Sequence, residues 1–261
     1  MKIIACIKQV PDSIEVKIDP QTNRIIREDV KGIINPFDMY AVEEAVRLKE
    51  RFNGQAVVLT MGPSQADTAL REALSMGIDE AVLISDRKFV GSDTLATSYA
   101  LSRAVRKIGG YDIVICGRET IDGSTGQVGP EMAENLGIPC ITYVSKILET
   151  TGGTIRCVRM MEDHYEEVSA PLPVILTVSK EINEPRIPSL KGLLRAKKAV
   201  IPTWTADDIG ADPAKVGHDG SPTWVVECWR PNLKKEGRIL QGKPQELAVE
   251  LFHELKKLGA A

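Results

Sequence analysis

The sequence predicts an α/β protein built on a parallel sheet. Over the first 140 or so residues, short apolar runs alternate with amphipathic helical stretches of about 10–15 residues. Most of these runs end in turn formers: Gly62-Pro63-Ser64, Gly91-Ser92-Asp93 and the glycine-rich stretch after Cys116. After about residue 140 the pattern changes to longer strand runs around Gly152-Gly153. A parallel domain with a β-hairpin extension and a C-terminal arm and helix follows from these three observations.

Residues 2–8 read as a first buried strand, because Ile3-Ile4-Ala5-Cys6-Ile7 is continuously apolar. The same run is too short for the core of a signal peptide. Val16, Ile18, Ile25 and Ile26 flank Asp19-Pro20-Gln21-Thr22-Asn23, which predicts a hairpin over 14–27. A helix over 38–52 follows from the stripe Ala41, Ala45, Leu48 and Phe52. Strand 56–61 leads into a helix carrying Ala66, Ala69, Leu70, Ala73 and Met76. Strand 81–85, helix 93–108, strand 112–116 and helix 127–136 complete the alternation. Residues 141–161 and 166–178 read as strands. In 180–202, Pro185 and Pro188 exclude a regular helix from the first half, and the segment reads as an extended arm. Leu247, Leu251, Leu255 and Leu258 share one face of a final helix over 244–258.

Composition narrows the function classes. The chain has 261 residues with formal net charge −3, so no basic footprint for nucleic acid exists. No run of about 18 apolar residues occurs, and no membrane span is expected. Five cysteines at 6, 116, 140, 157 and 228 form no Cys-x-x-Cys pair. They read as reduced thiols of a cytoplasmic protein, without disulfide framework or metal centre. No Ser-His-Asp or Cys-His arrangement stands out, so no catalytic residue is assigned. Glu162-Asp163-His164 falls at a turn and reads as solvated.

Ligands of parallel sheets bind at the carboxyl ends of strands, near helix N-termini. Four turns qualify: after Lys8, after Met61, before Asp93 and after Cys116. The last continues as Asp122-Gly123-Ser124-Thr125-Gly126-Gln127-Val128-Gly129 and opens a helix. Its glycines allow close backbone approach, and its hydroxyls and amide can donate. A diphosphate fits such a loop without lysine; the alternative is a turn with a helix cap. At the next site, Ser92 or Asp93 is a helix cap, while Thr94 and Thr97 open the face continued by Leu101, Val105 and Ile108. Those hydroxyls either bond back to their own helix or meet a buried polar ligand. Asp38 reads as the cap of the helix after Pro36, and Asn35 as a residue able to reach a ligand's base or ribose.

Four stretches together resemble one family: VKGIINPFDMYAVEEAVRLKE, MGPSQADTALREALSMGID, IDGSTGQVGPEMAENLG and LTVSKEINEPRIPSLKGLLRAKK. They resemble the small (β) subunit of electron-transfer flavoprotein, over about residues 1–210. The run Pro173 to Thr177 fits the family's signature region, and His164-Tyr165 depart from the acidic or glycine residues usual before it.

The resemblance implies a Rossmann-like fold of the adenine-nucleotide α-hydrolase type and a heterodimer with a larger α subunit. It implies an adenine nucleotide held by Cys6, Asn35 to Asp38, Met61 and Asp122 to Ala133. That nucleotide is a structural AMP in the common type and a second FAD in the electron-bifurcating type. The opening Ser92 to Thr97 resembles the bifurcating type, which turns Thr94 and Thr97 towards flavin contact. In that type NADH reduces the FAD, one electron passes to an FAD of the α subunit and its dehydrogenase, and the other to ferredoxin or flavodoxin. An FAD-dependent dehydrogenase is the expected partner enzyme, of the acyl-CoA type first, with enoyl-CoA and hydroxy-acid types as alternatives. The resemblance divides the chain into a nucleotide domain over 1–180, a recognition arm over 181–202 and an extension over 203–261 that contacts the α subunit. On the arm, Leu190 would fill a partner's apolar pocket, with Arg195, Lys197 and Lys198 steering an acidic surface. A plain AMP-holding subunit and a stress-protein-like regulatory module are the alternatives.

Overall fold

The computed structural model describes residues 1–12, 17–18, 25–26, 32–226, 237 and 239–260. Residues 1–226 make one compact unit and 227–261 another.

The chain opens with β1 (Lys2–Cys6) and β2 (Gln9–Pro11). Next come β3 (Lys17–Ile18), β4 (Ile25–Ile26) and β5 (Gly32–Ile34). Strands β3 and β4 pair antiparallel with Lys17 opposite Ile26, as a hairpin over 14–27 requires. Val16 and the turn at 19–23 lie outside the described residues. The alternation follows as α1 (Pro36–Phe52), β6 (Gln55–Met61), α2 (Asp67–Met76), β7 (Glu80–Ile84), α3 (Thr94–Ile108), β8 (Ile113–Gly117) and α4 (Val128–Leu136). Then come β9 (Cys140–Thr151), β10 (Thr154–Met160), β11 (Tyr165–Pro171), β12 (Val174–Val178), α5 (Leu190–Lys198) and β13 (Thr203–Trp204).

One sheet of nine strands runs in the order β11-β10-β9-β12-β8-β1-β6-β7-β13. Pairing is parallel from β9 to β13, and β9, β10 and β11 pair antiparallel. The strand expected over 166–178 is in fact two. Leu172-Pro173 breaks it, since proline donates no ladder hydrogen bond, and β12 then inserts between β8 and β9. The two-residue strand β13 is too short to show any alternation in the sequence.

The pleat of β1 divides the core. Ile3, Ala5 and Ile7 face a layer with Ala41, Val42 and Ala45 of α1 and Leu70 and Ala73 of α2. Ile4 and Cys6 face Leu101, Ala104 and Val105 of α3 and Met132 of α4. Each fully buried aliphatic side chain contributes roughly 1.5–3 kcal/mol. Ala206, Ile209 and Val216 join the second layer, so the segment after β13 is packed onto the same body.

The arm needs a correction. Residues 190–198 are helical, capped by Ser189, whose Oγ accepts the Gly192 N–H at 3.0 Å. Both prolines precede the cap, where they do no harm, and the stretch beyond them is rich in good helix formers. Leu190 therefore opens α5 rather than riding an extended backbone. It stays 74% exposed, with Leu193 and Leu194 beside it on the open side. Arg195 is engaged within the chain: its guanidinium donates to the Leu74 and Ile78 carbonyls at 2.7 Å each, closing the C-terminal end of α2. Arg71 returns the favour, donating to the Ala196 and Ala199 carbonyls. Upstream, Arg186 meets Glu43 and Glu50 of α1, and Asn183 donates to the Tyr40 carbonyl.

In the second unit, α6 (Pro244–Lys257) carries Leu247, Leu251 and Leu255, with Leu258 just beyond it. Among the described residues no helix is long and apolar enough to cross a membrane.

Arg195→Met keeps an unbranched stem and removes the donors to the Leu74 carbonyl of α2 and the Ile78 carbonyl just beyond it. We expect it to cost about 1–3 kcal/mol of stability, read as a lower urea midpoint at unchanged slope. An unchanged midpoint would mean that these bonds do not hold α5 to the body.

Candidate functional site

The carboxyl ends of β1, β6 and β8 meet the starts of α1, α3 and α4 at one end of the sheet. Asn35 begins the assembly. It sits where a cap would, yet its side chain caps nothing. Fully buried, it donates from Nδ2 to the Glu119 carbonyl at 2.8 Å and accepts the Ile121 N–H at 3.1 Å. Asp38 is not the cap of α1 either. It lies inside the first turn, and its carboxylate accepts the Lys8 N–H at 2.7 Å and the Gly117 N–H at 3.1 Å. The reason is steric as well as polar: a Cβ on Gly117 would collide with Asp38 and the Phe37 carbonyl carbon, so α1 can start directly against the end of β8. Burial drives the Asp38 carboxyl up to about 7, and the two N–H groups only partly offset it.

Cys6 and Cys116 stand opposite each other on adjacent strands, both buried. The neighbouring Cys6 thiol and burial push Cys116 well above the ordinary thiol range. Cys228 lies outside the described residues. Met61, at the end of β6, lines a cleft of about 80 Å³ together with Lys8, Val10 and Pro63.

The glycine-rich loop is tied down by a residue the sequence reading did not single out. Lys8 reaches it from beyond β1, and its Nζ donates to both carboxylate oxygens of Asp122 at 2.8 Å. Burial opposes the charge on Asp122, but Lys8 more than compensates and holds the carboxyl below its ordinary range. Ser124 takes a left-handed backbone, φ 51°, and its hydroxyl donates to the Thr120 carbonyl. Gly123 N–H also points at that carbonyl, at 3.4 Å. Thr125 is exposed. Gly126 has φ 64°, which only glycine adopts freely. Gly129 has a packing role beside the close backbone approach expected of it. A Cβ there would run into Thr177 Cγ2 of β12, so this glycine lets α4 lie on the sheet. Among the described residues, the N–H groups of Gly126, Gln127, Val128 and Gly129 donate to no protein acceptor. Four open donors at the start of a helix suit an anion.

The α3 opening sits beside this loop. Asp93 caps α3 by accepting the Ala96 N–H at 3.1 Å, and it also accepts from Thr223 N and Oγ1. Ser92 donates to the Phe89 carbonyl and accepts the Gly217 N–H. These two residues thus fasten the 217–223 segment. Thr94 does not bond back to its helix. Its hydroxyl crosses to α4, 3.0 Å from Glu131 Oε1 and 3.4 Å from Gln127 Oε1. Glu131 Oε2 is buried without a partner among the described residues. Thr97 is half-buried, and its hydroxyl makes no hydrogen bond among the described residues. The donors at α4 fit a phosphate, and the orphaned carboxylate oxygen fits a ligand N–H or O–H. Lys197 and Lys198 lie exposed on α5, and Glu162-Asp163-His164 is exposed at the β10–β11 turn.

Fold and site define an α/β protein with an anion-ready loop at the carboxyl end of a parallel sheet. Residues 22–209 match the electron transfer flavoprotein domain. The chain is 50% identical over 256 residues to an electron transfer flavoprotein subunit beta from Thermoanaerobacterium thermosaccharolyticum, covering 98% of both chains. It is 44% identical over 260 residues to the caffeyl-CoA reductase-Etf complex subunit CarD of Acetobacterium woodii, again covering 98% of both. Protein FixA of Azorhizobium caulinodans is 45% identical over 270 residues, with 99% of this chain and 96% of that one covered. The chain belongs to the electron transfer flavoprotein family, among its β subunits. Membership brings a flavin- or AMP-type cofactor, an α-subunit partner and further redox partners.

Asp38 gives the site a pH signature. Its folded value of about 7 lies above the ordinary 3.8, so the native state holds the proton more tightly than the unfolded chain. Stability should therefore fall as pH rises from about 4 to about 7, by at most about 1.4 kcal/mol per pH unit, and level off above. Asp38→Asn should remove that slope from the urea midpoint measured against pH. A slope that survives the substitution would assign it to another group.

Proposed function

We propose that the chain is the β subunit of an electron-bifurcating electron-transfer flavoprotein and holds FAD at the glycine-rich loop. The observation that carries this reading is the row of open N–H groups from Gly126 to Gly129 beside the Thr94–Glu131 pair. Bound there, FAD would accept a hydride from NADH and release electrons singly, to an α-subunit FAD and its dehydrogenase and to ferredoxin or flavodoxin. The protein's part is placement. The open N–H groups and the α4 dipole receive the pyrophosphate without a lysine. Thr97 and Glu131 Oε2 offer a donor and an acceptor further along the groove. Asn35, Asp38 and Lys8 keep the loop and the strand ends in register.

Relatives support the reading. One is named as a subunit of a caffeyl-CoA reductase complex, which fits an acyl-CoA-type dehydrogenase as the partner here. Residues 121–125 of the loop are exposed, so a nucleotide bound there would be covered by another surface. The α subunit is the natural cover. The same open N–H groups would receive the single phosphate of AMP, which is the second reading, a structural AMP in a plain electron-transfer flavoprotein.

The nucleotide content of the purified heterodimer decides between them. We expect two FAD per heterodimer and little AMP after denaturation and chromatography. One FAD with one AMP would remove the bifurcating reading and leave the plain one.

The dehydrogenase would dock on the open face of α5. Ile187, Leu190, Leu193 and Leu194 are 92%, 74%, 51% and 55% exposed, and Lys197 and Lys198 follow them. Clustered apolar exposure of this kind marks an interaction surface. Leu190 touches solvent rather than core, so Leu190→Ala should leave stability and both flavins unchanged. Electron transfer to the dehydrogenase should fall at least tenfold in a coupled assay. Loss of flavin or of the α subunit in this variant would make α5 structural instead.

A further inference from the structure

Tyr143 in β9 stands apart from its neighbours. Ile141 and Val144 on either side are buried in the core, but Tyr143 belongs to neither core layer and is 40% exposed. The β9–β12 register slips between Leu176 and Val178, so Thr142 and Tyr143 stand opposite Thr177 alone. That is a bulge, and Tyr143 takes φ 55° in it, an uncommon backbone for an aromatic residue. The bulge is held: Tyr143 N–H donates to Thr177 Oγ1 at 3.1 Å, and the methyl of Thr177 is the group that requires glycine at position 129. The distortion of the sheet and the start of α4 are therefore keyed together.

The bulge turns the ring out of the sheet and towards the glycine-rich loop. The Tyr143 hydroxyl lies 3.6 Å from where a Cβ on Gly126 would stand. The Arg118 guanidinium lies 5.8 Å from the Tyr143 ring centre and 5.0 Å from that of Phe37. Arg118 is already neutralised by Glu119, with Nη2 2.6 Å and Nε 2.9 Å from one carboxylate oxygen. Of the loop's own side chains, Thr125 is exposed and three others are engaged. Ser124 Oγ donates to the Thr120 carbonyl, Asp122 holds Lys8, and Gln127 Oε1 lies against Thr94. The phenol is thus a side-chain donor left facing the loop.

We infer that Tyr143 is a ligand-contacting residue of this site, its hydroxyl donating to a phosphate oxygen of the bound adenine nucleotide. The inference rests on the nucleotide reading above and adds a residue to it. Strained backbone at a ligand site is a familiar arrangement, kept because the contact needs it.

The test uses the heterodimer, stripped of nucleotide with chaotropic salt and titrated with AMP, FAD and adenosine by calorimetry. Tyr143→Phe should raise the Kd of AMP and FAD about tenfold or more, because a hydrogen bond to a charged group is lost. Adenosine, lacking phosphate, should bind as before. Tyr143→Asn removes the ring but tolerates the left-handed backbone. It should weaken both nucleotides while Tm stays level or rises by a few degrees. Unchanged Kd values in Tyr143→Phe, or a lowered Tm with binding intact in Tyr143→Asn, would overturn the assignment and leave Tyr143 structural. If the unaltered heterodimer binds neither AMP nor FAD, the nucleotide reading itself fails, and this one with it.

Discussion

Two buried polar side chains, Asn35 and Asp38, hold the functional end of the molecule together. A buried amide or carboxylate without partners costs several kcal/mol, so each must be satisfied, and here the partners are backbone groups that the sheet leaves open. Asp38 takes the N–H groups at the ends of β1 and β8. Asn35 takes both a donor and an acceptor from the 119–121 backbone. One short stretch before and within α1 thus sets where two strands end and where the glycine-rich loop begins. Lys8 adds an ion pair to Asp122 from the same strand end. The base of the site is over-determined while its mouth stays open.

Glycine has two different jobs around this base. At Gly126 the backbone itself demands it, with φ 64°. At Gly117 and Gly129 the demand comes from packing, since a Cβ would strike α1 or Thr177. The distinction matters for mechanism. A residue at position 126 distorts the loop, whereas one at 129 pushes α4 off the sheet and carries the open N–H groups with it. Both displace the open N–H groups, through different elements.

Much of this was legible in the sequence. The alternation of apolar runs and amphipathic stripes gives β1, β6 to β8 and α1 to α4, because each buries one predictable face. The loop 122–129 stands out through its glycines. What the sequence hid depends on contacts far apart along the chain. Asp38 looks like a cap because caps are local, and its real partners are 30 and 79 residues away. The packing role of Gly129 shows only once β12 lies beside it. Pro185 and Pro188 announce an extended arm, yet α5 begins just after them, where prolines precede a helix without harm. Arg195 reads as a free surface charge until the end of α2 is seen beneath it. Lys8 and Tyr143 carry no local signal at all, since a lysine after a strand and a tyrosine within one are ordinary.

The arm and the site share one design consequence. Arg195, Arg71, Arg186 and Asn183 fix the arm to α1 and α2 from its inner side, so its leucines are left half or more exposed. A leucine stripe held rigid in solvent loses little conformational entropy on being covered, which is what a docking surface requires. The nucleotide site has the same character. Its base is satisfied, and the N–H groups from Gly126 to Gly129 donate to no protein acceptor among the described residues. In each place the fold has fixed the groups from one side and left the other side open. Such a division fits the proposed role of a β subunit that works with an α subunit and redox partners. The β subunit supplies pre-ordered faces, and affinity depends on what closes over them.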